Sequence, residues 1–275
     1  MNLSWKTEPL IKWVSENSPA WAQQTIRSLE QDYPEHPEFK SGEGVPGLRS
    51  FIYLTERTVQ DVDPDNIVGQ WDHYAGQTWL DALIYPQWKP GKIKACLCEA
   101  ENNPDYYLEP LKNIHLTSYD GKNWYSHTSG NHRTVIGKFI LSMASERLNK
   151  KINFKGISTT RHFVDYECLA KYQALAKLIE DKMLNISLTA KAELIENTGQ
   201  TINNITIHEY EIKIFVYDSR MGINAVKYEW LSASEFCKYA KWVLDNDGRY
   251  PTSYKIRDFL GLPFGQQLHK INYPK

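Results

Sequence analysis

Gly130, Asn131, His132 and Arg133 are consecutive and of the types that grip an anion. Glycine lets the backbone turn sharply and approach a ligand closely. Arginine offers phosphate a planar fork of donors. Histidine donates a hydrogen bond or moves a proton near neutral pH. Their position adds to their chemistry. Trp124, Tyr125 and Ser126 before them read as a strand, and Val135, Ile136, Phe139, Ile140 and Met143 after them recur at helical spacing. The four therefore sit where a helix begins and its first N–H groups, that of Thr134 next in line, lack intrahelical acceptors. Such a place suits phosphate. An ordinary helix start, with Asn131 as its cap, fits the same residues.

Phosphate chemistry also needs a carboxylate, as a base or to hold Mg2+. Glu56, Asp61 and Asp63 are the candidates, and the sequence does not choose among them. Asp61, Asp63 and Asp65 alternate like a calcium loop, but Asn66 and Asp72 stand where an EF-hand needs Gly and Glu. Asp61 and Asp63 remain as Mg2+ ligands beside a phosphate site, or as parts of a solvated turn. Gln70, His73 and Gln77 are candidates for a substrate pocket. Ser158-Thr159-Thr160-Arg161-His162 offers a second set of phosphate contacts or a helix-capping run.

A strand, then Ser129-Gly130-Asn131-His132-Arg133, then an apolar helix resembles the ParB/sulfiredoxin superfamily, where a Gly-x-His-Arg or Gly-x-Arg-Arg turn at a helix start grips nucleotide phosphates. The likeness spans Phe51 to Ala144, about a third of the chain. Val62-Asp63-Pro64-Asp65-Asn66-Ile67 resembles the segment that opens many ParB-like domains. Asn131 stands where sulfiredoxins carry a reactive Cys, which argues against sulfinic-acid repair. Asn131-His132 replaces the Glu-Arg of partition ParB proteins, and no clear helix-turn-helix region follows. The turn is closer to that of the free-serine kinase branch. The resemblance implies a nucleotide, ATP or another, with Mg2+. It implies NTP hydrolysis, DNA cleavage or another phosphoryl transfer, with a small-molecule kinase as the alternative within the fold. In it Gly130, Asn131, His132, Arg133 and Thr134 bind the nucleotide, His132, Arg133 and Glu56 are catalytic, and Asp61 and Asp63 hold the metal. From a different class, a non-catalytic regulatory protein with a protein partner or a second copy of itself fits the aromatic-rich composition equally well.

Composition narrows these classes. The chain has 275 residues, 41% hydrophobic and 24% charged, as expected of a globular protein. A net charge of −1 argues against a generic nucleic-acid coat. Residues 1–110 hold 9 Lys+Arg against 17 Asp+Glu, whereas residues 111–165 around the turn hold 9 against 3. That local excess would draw phosphates or DNA, or dock on the acidic N-terminal half. Cys96-x-Cys98 is too tight for a zinc knuckle, and Cys168 and Cys237 stand alone. The four read as reduced thiols of a cytoplasmic protein. The first 20 residues lack the apolar run of a signal peptide, and no stretch is long and apolar enough for a membrane span.

The predicted fold is α+β: a ParB/sulfiredoxin-like mixed sheet with flanking helices, plus a C-terminal antiparallel hairpin and helices. Residues 1–48 form an N-terminal helical segment, 49–150 the nucleotide-binding core, and 151–275 a region packed on it. Helices are expected at 9–14, 18–33, 78–85, from the 130–133 hinge to 144, and at 163–183, 232–244 and 254–260. Strands are expected within 49–62 and at 92–99, 114–117, 124–126, 190–198, 205–217 and 226–230, with a bulge in the 205–217 strand.

Overall fold

The structure, a computed structural model, describes residues 7–34, 47–71, 73–103, 105–110, 113–127, 129–196, 198–218 and 227–249. Among them are seven α-helices and ten strands in both parallel and antiparallel pairings, an α+β fold. The chain divides into two compact units. The first draws on 1–34, 54–163 and 197–208, and the second on 35–53, 164–196 and 209–275. The expected helix at 254–260 and most of the Gly-rich loop at 40–47 lie outside the described residues.

The first unit is built on a mixed sheet. Its strands are β1 (Arg27–Ser28), β2 (Ile52–Val62), β3 (Ile67–Gln70), β4 (His115–Ser118), β5 (Trp124–Ser126) and β6 (Phe154–Val164), in the order β1-β3-β5-β4-β6-β2. β1, β3 and β5 run parallel, β4 lies antiparallel to β5, and β6 runs parallel to β4. Four helices belong here: α1 (Thr7–Asn17), α2 (Leu29–Asp32), α3 (Trp79–Ile84) and α4 (Pro90–Asn102). A fifth, α5 (Asn131–Leu148), forms the centre of the core. Val135, Ile136, Phe139, Ile140, Met143 and Ala144 are buried as their spacing requires, but so are Gly137, Lys138 and Leu141. α5 is thus enclosed around almost its whole circumference. Gly137 permits this, since a Cβ there would lie 2.5 Å from the Phe154 ring.

Three expectations are corrected in this unit. The segment 92–99 is not a strand but the middle of α4. Pro90 opens that helix, and Ile93, Leu97 and Ala100 fall on one buried stripe at helical spacing. The stretch 18–33 is not one helix. A 3₁₀ turn (Ala20–Gln23) gives way to extended backbone where the β-branched Thr25 pairs with Thr78 and Ile26 N–H donates to Gln77. Ser28 then caps the short α2. Ser158 to His162 is not a capping run but part of β6, where Thr159 and Thr160 are buried.

The second unit holds α6 (Tyr166–Lys182), α7 (Ala233–Asp245) and the strands β7 (Ile186–Leu194) and β10 (Lys227–Ser232), both antiparallel to β9 (Ile205–Asp218). Asp165 caps α6 and Ser232 caps α7, the latter with Glu235 in a reciprocal capping box. The β7–β9 register runs unbroken from Ile186↔Asp218 to Leu194↔Tyr210, so the expected bulge is absent from that pairing. The change of spacing instead marks where β9 exchanges partners. Its first residues, in the first unit, pair with β8 (Gln200–Ile202) through Asn203 and Asn204, both at positive φ.

Candidate functional site

β5 ends at Ser126, and the chain turns through Gly130 into α5. Gly130 has φ +88°, a left-handed conformation that other residues enter at a cost. A Cβ there would also meet Ile114 Cα at 2.9 Å. The turn is thus fixed by chain conformation and by close packing on the start of β4. Helical bonding begins when Thr134 N–H donates to Gly130 O at 2.7 Å. The amides of Asn131, His132 and Arg133 precede it and point past the helix end.

The five residues predicted to bind a nucleotide divide into two groups. Gly130, Asn131 and Thr134 build the turn. Ser126 Oγ donates to Asn131 Oδ1, Gln70 Nε2 donates to Asn131 O at 3.1 Å, and Thr134 Oγ1 donates back to Gly130 O at 2.9 Å. His132 and Arg133 face a different environment. Among the described residues, His132 Nε2, Arg133 Nε and the fully buried Gln70 Oε1 have no hydrogen-bond partner. An orphaned buried polar atom costs about 1–3 kcal/mol, and such atoms in native proteins call for an explanation.

The stretch leading into α4, together with Lys92 and Glu99 of α4 itself, supplies most of the surroundings. The His132 ring lies 4.9 Å from Trp88 and 5.7 Å from Tyr74, and His73 stacks on Trp88 at 3.9 Å. Lys89 Nζ sits 4.6 Å above Trp88. Burial, followed by Lys92, His73, Lys89 and Arg133, pushes the His132 imidazole down to about 4. It is therefore neutral at pH 7 inside a cationic cluster. Arg133 lies 3.8 Å from the exposed Glu99 and 6.0 Å from the Tyr106 ring centroid. That spacing is too long for a hydrogen-bonded pair and leaves the guanidinium with unused donors. Lys89, Lys92, Glu99 and Tyr106 escape a reading of 92–99 as a strand. Lys89-Pro90-Gly91, followed by Ile93, Leu97 and Ala100, was the signal that could have found them.

The structure does not gather the predicted carboxylates at this turn. Glu56 and Asp61 lie on β2, the third strand from β5, or about 14 Å across the sheet at ordinary strand spacing. Asp61 accepts from Gly156 N–H at 3.0 Å. Asp63 accepts from Asp65 N–H at 3.0 Å and pairs with Lys151 at 2.5 Å. Among the described residues no group of three His, Cys, Asp or Glu side chains could hold a metal ion. Gln77 is structural, donating to Tyr85 O and accepting from Gln87 N–H, whereas Gln70 abuts the turn. On β4 and β6, His115 bonds Ser158 Oγ at 3.2 Å and Thr160 Oγ1 at 3.0 Å, so the hydroxyl run serves the sheet. No helix of the described residues is long and apolar enough to cross a membrane.

No family model, curated protein or solved structure matches this chain.

Proposed function

We propose that this chain binds a nucleotide through its phosphates at the N-terminus of α5 and is a phosphoryl-transfer or NTP-hydrolysing enzyme of the ParB/sulfiredoxin-like kind. The observation that carries the reading is a pair of buried nitrogens, His132 Nε2 and Arg133 Nε, without a hydrogen-bond partner among the described residues, beside helix-start amides that lack intrahelical acceptors. A phosphate would accept from the Arg133 fork and the amides while Lys89 and Lys92 offset its charge. His132, neutral at pH 7, would donate to a phosphate oxygen through an N–H. The residues present fit a nucleotide. They do not supply a ready-made Mg2+ cage, so the ion would arrive with the phosphates. DNA remains part of the proposal as a substrate drawn by the basic excess in residues 111–165.

Isothermal titration with ATP, ADP and CTP in Mg2+ tests this. The expected result is saturable binding to at least one nucleotide, weakened about 10- to 100-fold by Arg133→Ala through loss of charge-assisted hydrogen bonds. Absence of binding to all three, or equal affinity in the variant, would sink the reading.

A further inference from the structure

We propose that a second pocket, on the flank of α5, receives a small organic anion. A cavity of about 370 Å³ opens there, walled by Trp21, Asp63, Asp65, Lys138, Ser142 and Lys150. That volume lies in the range of small-molecule sites. Lys138 is 2% exposed, and its Nζ donates to Pro64 O at 2.6 Å and Ile67 O at 2.7 Å. Two of three donors are thereby used, both on neutral carbonyls. A buried cation is ordinarily matched by a carboxylate. Here the carboxylates that act on it, Asp65 and Asp63, are both bridged by Lys151, at 3.4 and 2.5 Å.

Three lysines (Lys138, Lys150 and Lys151) therefore face two aspartates around the cavity, which leaves one positive charge unmatched whenever Lys138 is protonated. Ser142, one turn along α5 from Lys138, adds a hydroxyl, and Trp21, Pro64 and Ile152 add apolar wall. The complement of that lining is an anion with a small carbon body. Burial pushes the Lys138 ammonium down to about 7, against the opposing pull of Asp65 and Asp63. A bound anion raises it again.

Equilibrium dialysis of the full chain against malate, citrate and succinate, at constant ionic strength, tests the pocket. At least one is expected to bind saturably. Ser142→Phe, which fills the cavity, should weaken binding at least tenfold, and Lys150→Ala by a few-fold. Arg133→Ala, at the helix N-terminus, should leave this binding unchanged, which separates the pocket from the nucleotide site. NMR of ¹³C-labelled lysine should show the Lys138 titration moving upward with the anion present. No saturable binding of any of the three overturns the proposal. So does binding that survives Ser142→Phe or that vanishes in Arg133→Ala.

Discussion

His132 shows how one side chain's surroundings set its chemistry. Its imidazole is buried against Trp88 and Tyr74 among cations, and it titrates near 4 rather than near 6.5. Between those values the unfolded chain binds a proton that the folded chain refuses. Folding stability is therefore present above about pH 6.5 and is lost as pH falls towards 4. His132→Phe keeps the ring stacking and removes the titration. Its urea midpoint should fall less between pH 7.5 and pH 5 than that of the wild type, and equal losses would rule out His132 as a source of acid sensitivity. The sequence displayed this residue and its neighbour Arg133, because a Gly-polar-basic run before an apolar helix is a local pattern. It did not display Lys138. A lysine in an amphipathic repeat reads as a solvent-facing residue, and only a helix enclosed around most of its circumference places it inside.

Among the elements, α5 is defined by its two ends. Asn149 closes it in a left-handed conformation, and Gly130 opens it in another. Gly130→Ala would combine a strained φ, about 1–2 kcal/mol, with a Cβ pressed on the backbone of Ile114. Chemical denaturation should show a loss of about 2–3 kcal/mol, and nucleotide binding should weaken with it. A loss below about 0.5 kcal/mol, the scale of a neutral surface change, would contradict this account of the turn. Capping also explains what was legible. Thr78, Ser232 and the apolar spacing of α5 announce their helices before any tertiary contact is known. α4 escapes a local reading because Lys92-Ile93-Lys94-Ala95 alternates like a strand over four residues. The helical stripe emerges only when Leu97 and Ala100 are included. β6 was missed for a related reason. Its hydroxyl and imidazole side chains satisfy one another across strands, as His115 does with Ser158 and Thr160, so a buried strand reads as a polar loop.

Across the whole molecule, each compact unit is assembled from three separated stretches of chain, an arrangement that no local composition displays. The second unit needs its earliest stretch. Phe51 is fully buried with its ring 5.4 Å from Tyr172, and its carbonyl accepts from Asp165 N–H at 2.9 Å. A fragment of residues 164–275 lacks that packing and should show no cooperative unfolding transition by circular dichroism. A sigmoidal melt from the fragment would refute this, and adding residues 47–53 as a peptide should restore order if Phe51 is what it lacks. Near neutrality in net charge and without a matching relative, the molecule leaves its chemistry to be read from the turn and the pocket on one helix. One feature of that turn gives it a voice of its own. The indole of Trp88 carries an imidazole stacked at 3.9 Å, a second at 4.9 Å and an ammonium at 4.6 Å. Its emission therefore depends on the protonation and position of the groups that a phosphate would engage. Emission compared with that of Trp88→Phe, among nine tryptophans in all, makes this indole an optical gauge of the candidate site.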